Sequence, residues 1–375
     1  MDPFKKIRPY ADNEVEGVLQ SLINNPEVLK ALMGLQFPGF FSRLPFVKFF
    51  VKQRLISKAK NIHTIDDYQK VFKSLMENVV KESIASFKVN GLSHLKKDTS
   101  YLFISNHRDI SLDAALLALN LYQSGYKTFN IAVGNNLMEE SWASDLFRLN
   151  KSFIIHRSGG TKKEIYSGLS LASQFIYKSI FQDNDSVWIA QKQGRAKDGV
   201  DETDPALLKM IHLSERKSES VAKYFNSLKV VPVSISYEFD PNDVLKSEEL
   251  FASEAGNSYI KQKNEDLQSI ANGVTGFKGN VTINIAAPMV FKQDDDYQDI
   301  ADQITNSIVS NYELHATNYA ALQQMDLSTK LNHQFTHQEL INAGDELSRR
   351  MINLKEGARS KFLEQYANPA IRKPN

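Results

Sequence analysis

One stretch decides the fold of this chain: Tyr101-Leu-Phe-Ile-Ser-Asn-His107-Arg-Asp109-Ile-Ser-Leu-Asp113, followed by Ala114-Ala-Leu-Leu-Ala-Leu-Asn120. Its aromatic and aliphatic beginning predicts a short buried strand, whereas the alanine- and leucine-rich continuation predicts a helix. His107 therefore lies at a predicted strand-to-helix junction. In open α/β sheets, ligands bind in the crevice beyond the carboxyl ends of the strands, so this junction is a candidate functional site.

A histidine followed closely by carboxylates is the residue set of a general base and its orienting acid. A neutral imidazole can take a proton from a hydroxyl, and a carboxylate on its other nitrogen fixes the tautomer and stabilises the imidazolium. Asp109 and Asp113 are the candidate acids. The same residues also fit a structural role, in which Ser111, Asp109 or Asp113 caps the helix and His107 is simply a buried histidine.

The rest of the chain predicts three regions. Residues 13–93 have helical patterns, with Pro26 opening one helix and Thr64-Ile-Asp-Asp-Tyr-Gln resembling the capped start of another. From Tyr101 to Phe291 short strands alternate with helices, which favours an α/β sheet domain. After Asp294 the chain is again helical. We therefore expect an N-terminal helical region over 1–95, an α/β domain over 96–293 and a C-terminal helical extension over 294–375. The further candidate strands are Thr128–Val133, Ser152–His156, Ser186–Ala190, Val230–Ser236 and Val281–Ala286, and the clearest helices are Lys162–Phe181 and Asp204–His212.

Composition excludes several classes of protein. Lys and Arg number 45 against 44 Asp and Glu, a balance that argues against a protein that coats nucleic acid. The chain has no cysteine, so it has no disulfide framework, thiolate nucleophile or cysteine-based zinc site. No signal-peptide pattern and no apolar run of roughly 20 residues stands out, so we expect a protein that does not span the membrane.

The segment from Arg43 to Lys60 has a strong local charge, with six basic residues, no acid and three phenylalanines. A basic segment mixed with aromatic rings is typical of a helix that lies in a membrane interface, where lysine stems snorkel and rings enter the acyl boundary. The alternative is an amphipathic helix packed on its own domain with a solvated basic face. The candidate membrane contacts are Phe46, Lys48, Phe49, Phe50, Lys52 and Arg54.

Two further predicted strand ends carry cations and glycines. The first is Ser152-Phe-Ile-Ile-His-Arg157-Ser-Gly-Gly-Thr161, and the second is Ser186-Val-Trp-Ile-Ala-Gln-Lys192-Gln193-Gly194-Arg195-Ala-Lys197. Glycine turns near a helix N-terminus free backbone N–H groups that bind anions. We therefore expect these cations to surround one crevice with His107 at its edge, an arrangement that fits a hydroxyl-bearing substrate with a phosphate.

Four blocks of the chain resemble, in order, the motifs of the glycerolipid acyltransferase superfamily, which includes glycerol-3-phosphate and lysophosphatidate acyltransferases. They are Asn106-His107 through Asp113, Phe153-Ile-Ile-His-Arg157, Gln193-Gly194-Arg195 and Val231-Pro232-Val233-Ser234. A bacterial branch of that superfamily has similar motif sequences, which here are Ser-Asn-His-Arg-Asp, Gly-Arg-Ala-Lys-Asp-Gly and Val-Pro-Val-Ser-Ile-Ser-Tyr-Glu. The resemblance covers roughly residues 92–243, and the opening helical region, including Ile7-Arg-Pro-Tyr10, is also similar to that branch.

The resemblance implies an α/β fold with a central mixed sheet flanked by helices, as in glycerol-3-phosphate acyltransferases. It also implies that His107 is the general base on a glycerol-type hydroxyl that attacks the thioester of acyl-CoA or acyl carrier protein, with Asp113 orienting His107. Neither a metal nor another cofactor is implied. The resemblance further implies that Pro232 shapes the wall of the acyl site and that an acceptor phosphate is bound by Arg157, Gly194 and Arg195, with Gln193 and Lys197 beside them.

Two positions depart from the superfamily's motifs. The usual spacing is His, four residues, then Asp, but here Leu112 occupies that position and the acids are Asp109 and Asp113. Either one extra residue is accommodated in the turn, or Asp109 takes the orienting role. In the third block Gln193 replaces the usual Glu, which keeps the size and hydrogen-bonding reach but removes the charge.

The expected partners are a lipid surface, an acyl-CoA or acyl carrier protein donor, and a glycerophosphate or lysophospholipid acceptor, with no nucleic acid. The resemblance places such an enzyme of phospholipid biosynthesis in the cytoplasm, peripheral on the inner face of the cell membrane. The alternative is a membrane-associated lipid-binding protein that keeps the fold with reduced or lost catalysis.

Overall fold

A seven-stranded sheet organises the computed structural model, which describes residues 2–30, 45–137, 141–254, 259, 265–327 and 334–374. For residues 45–48, 50 and 51 the description covers the backbone alone. The strands lie in the order β1-β7-β6-β2-β5-β3-β4. Neighbouring strands are parallel except for β6 and β7, so the sheet is mixed. Their bounds are β1 Ser86–Asn90, β2 Leu102–Ser105, β3 Asn130–Gly134, β4 Ser152–Ile155, β5 Val187–Ala190, β6 Val230–Tyr237 and β7 Asn280–Ile285.

Helices precede, cover and follow this sheet, so the predicted fold class is confirmed. Residues 26–30 are also helical. The bounds are α1 Asp12–Asn24, α2 Pro45–Ala59, α3 Ile65–Ser83, α4 Leu112–Gln123, α5 Ser141–Leu149, α6 Lys162–Tyr177, α7 Pro205–Ile211, α8 Val221–Ser227, α9 Asp243–Glu254, α10 Glu265–Thr275, α11 Tyr297–Ser310, α12 Ala316–Gln324, α13 His337–Arg350 and α14 Glu356–Arg372.

The two faces of the sheet bury separate apolar clusters because successive side chains of a strand point to opposite faces. On β2, Leu102 and Ile104 pack with residues of α6, α7, α8 and α11. Phe103 packs instead with residues of α3 and α4 on the other face. Since β2 lies between β6 and β5, its carboxyl end lies in the middle of the sheet, with a neighbouring strand on each side.

The N-terminal region differs from the sequence expectation at one element. Thr64 caps α3 as predicted, because its Oγ accepts a hydrogen bond from the Asp67 N–H at 3.1 Å. However, Ser86–Asn90 forms strand β1, so the helical prediction for residues 13–93 is wrong there. The pairing of Ser86 with Asn280 of β7 explains the error, since a partner so distant in sequence leaves no local pattern.

The C-terminal helices α12 to α14 form their own apolar cluster, which includes Leu347, Phe362 and Tyr366. Partly buried Val244 and Phe251 of α9 pack against this cluster, so it is joined to the segment that follows β6. None of the described helices is long and apolar enough to cross a bilayer.

Candidate active site

His107 lies in the loop between β2 and α4, and its ring is held by a carboxylate. Its Nδ1 lies 2.8 Å from Oδ2 of Asp113, which is in the first turn of α4. With Asp113 ionised, Nδ1 carries the donated hydrogen, and the lone pair of Nε2 is available on the opposite edge of the ring. The His107 side chain is 15% exposed, and the ring contacts Trp188 edge-on. The pair therefore has the geometry of a general base with its orienting acid.

The Asp113 carboxylate is fully buried and receives four hydrogen bonds. Besides the His107 ring, Oδ2 accepts from the backbone N–H groups of Arg108 at 2.7 Å and Asp109 at 3.0 Å. Oδ1 accepts from the hydroxyl of Tyr237 at 2.9 Å. Because a buried carboxylate is costly without hydrogen bonds, these four donors compensate for the burial of Asp113 at the floor of the loop.

Asp109, the alternative acid, has a structural position. Its Oδ1 accepts hydrogen bonds from the N–H groups of Ser111 at 3.0 Å and Leu112 at 2.9 Å, which caps the start of α4. The carboxylate packs against α10 at Gly273, where a Cβ would lie 2.3 Å from Asp109 Oδ2. Burial, together with the charge of Asp113, raises the pKa of Asp109. The extra residue between His107 and Asp113 is thus accommodated in a turn that Asp109 closes.

Two polar contacts fix the beginning of this loop. The Asn106 side chain exchanges two hydrogen bonds with the backbone of Ile235 in β6, accepting from its N–H at 2.8 Å and donating to its carbonyl at 2.9 Å. The next residue but one, Arg108, is buried and forms an ion pair with Asp201 at 2.6 Å. Burial opposes the charge of Arg108, but the surrounding acidic groups, Asp201 foremost, together outweigh burial and raise the pKa of the guanidinium.

The loop after β5 lies directly beside His107, because the Ala196 N–H donates to the His107 carbonyl at 2.8 Å. Gly194 has a φ of +78° and open space at its missing side chain, so this turn exposes backbone without steric hindrance. Gln193 is also exposed. The guanidinium Nη1 of Arg195 is buried and has no hydrogen-bond partner among the described residues. The open turn at Gly194 and the backbone of Arg195 therefore lie in a loop that contacts the backbone of His107.

Two lysines of the same loop have internal partners. Lys197 forms an ion pair with Glu249 of α9, and Lys192 donates to the carbonyl of Val200 at 2.9 Å. These two contacts help to hold the loop after β5 in place.

Arg157 follows β4, three strand positions from β2, and its side chain leans back toward the centre of the sheet. Its guanidinium lies over the end of β3, where a Cβ on Gly134 would be 2.6 Å from Nη2. Nη2 donates to Asn136 Oδ1 at 2.8 Å, and burial lowers the pKa of Arg157. The Arg157 guanidinium at the end of β3 is therefore about two strand spacings, roughly 10 Å, from β2, and β5 lies between them.

The remaining predicted site residues fall in two places. Pro232 is buried in β6 opposite Ile104 of β2, one residue before the end of their pairing. On α2, Phe49 is 59% exposed, Arg54 is exposed and Lys52 is half-buried. The side chains of Phe46, Lys48 and Phe50 lie outside the described residues.

Sequence reasoning missed Tyr237, Asn106 and Asp201 as parts of this site. Asn106 and Tyr237 both lie inside the motif blocks that resemble the acyltransferase superfamily. Their positions in these blocks could have identified them, although their residue types alone did not. Asp201 lies in a loop and contacts Arg108 only through the fold. The part of the chain that the structure describes contains no cluster of three or more His, Cys, Asp or Glu side chains arranged to hold a metal ion.

Part of the chain is similar to known proteins. The family model described as Acyltransferase matches residues 86–196, from β1 through the loop after β5. Among solved structures, the chain is similar to the 1-acyl-sn-glycerophosphate (LPA) acyltransferase PlsC from Thermotoga maritima, with 13% identity and a TM-score of 0.39 over 75% of this chain and 92% of that chain. The search of curated proteins gives no match. The matched segment, residues 86–196, includes His107 and Asp113, and the match agrees with the motif resemblance.

Proposed function

We propose that this chain is an O-acyltransferase of phospholipid biosynthesis, which transfers a fatty acyl group from acyl-CoA or acyl carrier protein to a hydroxyl of a glycerophosphate or lysophospholipid. The observation that carries the proposal is the 2.8 Å contact between His107 Nδ1 and Asp113 Oδ2, inside the segment that the acyltransferase family model matches. A histidine oriented by a buried carboxylate is suited to activating a hydroxyl.

The proposed reaction is direct transfer. His107 Nε2 takes the proton of the acceptor hydroxyl while the hydroxyl oxygen attacks the thioester carbonyl. The carbon–sulfur bond then breaks, and the protonated histidine returns the proton to the departing thiolate. Asp113 keeps the ring in place and stabilises its charged form. Because a thioester is already an activated acyl donor, we propose no metal or organic cofactor for this step.

The acceptor's phosphate is proposed to bind between the loops after β4 and β5. Arg157 and Arg195 carry planar donor groups that match phosphate oxygens, and the open turn at Gly194 adds backbone N–H groups. Gln193 would contribute an amide where relatives have an acid, and Lys197 adds positive charge that Glu249 partly compensates. Pro232, which is buried at the pairing of β2 with β6, is proposed to shape the acyl side of the crevice.

The decisive experiment measures acyl transfer by the purified full chain. Acyl-CoA and acyl carrier protein would each be offered with glycerol 3-phosphate, lysophosphatidate and other lyso-lipids in mixed micelles. We expect turnover with at least one acceptor that bears both a hydroxyl and a phosphate. If the folded protein binds a lyso-lipid but transfers no acyl group to any acceptor, it is the lipid-binding protein of the alternative interpretation, and the enzyme proposal is wrong.

Helix α2 is proposed to contact the membrane surface that holds the acceptor. It has no acidic residue, and Phe49, Arg54 and Lys58 are exposed on it. Each cation near an anionic leaflet contributes about 1 kcal/mol to binding. Replacing Lys52, Arg54 and Lys58 with Gln should therefore weaken sedimentation with phosphatidylglycerol-containing vesicles by roughly 10²-fold at low salt.

The matched control for α2 replaces three exposed lysines elsewhere, Lys209, Lys217 and Lys223, with Gln. Its change of net charge is the same, but we expect less than about a threefold loss of vesicle binding because charges away from the contact are screened within roughly 10 Å. Equal binding by the α2 variant and the wild type would assign this helix to internal packing instead.

A further inference from the structure

Strand β6 extends beyond its neighbour β2 and forms a wall beside the loop that carries His107. The parallel pairing of the two strands ends at Ser105 opposite Val233, but β6 continues through Tyr237. The Asn106 side chain extends the ladder past the end of β2, since it both accepts from and donates to the backbone of Ile235. The overhanging end of β6, residues 234–237, therefore fixes the start of this loop.

The last residue of the overhang reaches the floor of the same loop. The Tyr237 hydroxyl donates to Asp113 Oδ1 at 2.9 Å, and both side chains are buried, with 6% and 0% exposure. Within the described residues, Oδ2 of Asp113 receives three donors, whereas Oδ1 receives this hydroxyl alone. Burial and then the charge of Asp113 raise the pKa of Tyr237 well above its usual value, so the phenol stays protonated and remains a donor.

We infer that Tyr237 is a positioning residue of the proposed acyltransferase: its hydroxyl fixes the rotation of the Asp113 carboxylate, which in turn orients the His107 ring. The inference rests on the proposed function. A carboxylate rotates about its Cβ–Cγ bond, and a donor on each oxygen holds its orientation more firmly than donors on one oxygen alone. Without the hydroxyl, Oδ1 is left in a buried site without a donor, and the carboxylate no longer holds the ring so firmly.

The test is Tyr237→Phe, which deletes one oxygen and keeps the ring that packs in the core. We expect kcat to fall about tenfold, because an interaction that acts through the base affects the chemical step. The KM values for donor and acceptor should each stay within about twofold. The matched control is Tyr366→Phe, since the Tyr366 hydroxyl is also buried and donates to a buried carboxylate, Asp243 at 2.7 Å, which does not contact His107. It should lower the melting temperature similarly and leave kcat within about twofold.

A double-mutant comparison separates positioning from general weakening of the fold. If Tyr237 acts through Asp113, adding Tyr237→Phe to Asp113→Asn should cost less than about a further twofold in kcat, against about tenfold in the wild-type background. Equal losses in the two backgrounds would assign Tyr237 to stability alone and overturn the inference. Full activity of Tyr237→Phe would also overturn it, whereas a wild type without turnover would instead refute the proposed function.

Discussion

The dipeptide His-Arg follows both β2 and β4, but its two residues differ in burial and in hydrogen-bond partners between the two places. After β2, His107 is oriented by Asp113 and the neighbouring Arg108 is 6% exposed. After β4, His156 is exposed and Arg157 is half-buried. Since the residue types are identical, the difference comes from what the rest of the fold brings to each strand end.

At the end of β2, the arginine is used internally. Arg108 pairs with Asp201, donates to the carbonyl of Ala196 at 3.2 Å, and lies over the ring of Tyr312. It thereby joins the loop after β2 to the loop after β5. A buried arginine with a carboxylate partner is not available to a ligand, so only the histidine of this pair is left to act on a substrate.

At the end of β4, the situation is reversed. Gly168 lets α6 approach the backbone of His156, since a Cβ there would lie 2.8 Å from the His156 carbonyl oxygen, but the His156 side chain points to solvent. Arg157 has an amide partner, Asn136, and no carboxylate partner among the described residues. A sequence motif therefore identifies strand ends. The buried partners of each residue determine which one is structural and which one can contact a ligand.

The largest expected effect is the difference in kcat between variants of His107 and of His156. His107→Ala should lower kcat by roughly 10²–10⁴-fold, the usual share of a general base, while the protein stays folded because Asp113 keeps its three other donors. His156→Ala is the matched control and should keep more than half of the wild-type rate. Steady-state acyl transfer by both variants measures the contrast. A His107→Ala variant with more than about a tenth of the wild-type rate would contradict the assignment of the base.

The next effect separates the two acids. Asp113→Asn should lower kcat about 10²-fold, because an amide neither fixes the tautomer of His107 nor stabilises its charged form. Asp109→Asn should stay within about threefold of the wild type, since an amide oxygen can still accept from Ser111 and Leu112.

Stability gives a second readout for this pair of variants. The raised pKa of Asp109 means that the folded state holds the proton of this carboxyl more tightly than the unfolded state does. The ionised carboxylate therefore opposes folding as the pH rises, and Asp109→Asn should unfold at the same temperature as the wild type or higher at pH 7. If Asp109→Asn is the more damaging variant for kcat, the roles of the two acids are exchanged.

The smallest expected effect on kinetics is that of Arg157, which we compare with the effect of Arg108 on stability. Arg157→Ala should raise the acceptor KM roughly tenfold and leave the donor KM within about twofold, because the lost interaction is a charge-assisted contact to phosphate. Arg108→Ala should instead lower the free energy of unfolding by about 3–5 kcal/mol, since it leaves Asp201 buried without its partner. Steady-state kinetics and urea unfolding distinguish the two outcomes. A defect of Arg157→Ala confined to the donor KM would remove it from the acceptor site.

Much of this molecule could be predicted from local sequence. Hydrophobic runs between turn residues predict strands β2 to β7 within one or two residues of their observed bounds, since each contains several Val, Ile or Phe residues. His107, Arg157 and Arg195 are found at strand ends because the motifs follow those strands. Strand β1 was not predicted, since its alternation is short and its partner β7 is far along the chain.

Residues that are neighbours along the chain are enough to predict the α/β fold class, the junction that carries His107 and the acyltransferase resemblance. Three contacts are visible only in the folded chain: the one between Asp113 and His107, the pairing of Arg108 with Asp201, and the hydrogen bond from Tyr237 to Asp113. Each of these contacts depends on where another element ends: the first turn of α4, the loop after β5 and the overhang of β6. Hydrogen bonds are directional and act over about 3 Å, so a pattern of residue types cannot specify them until the sheet fixes those positions.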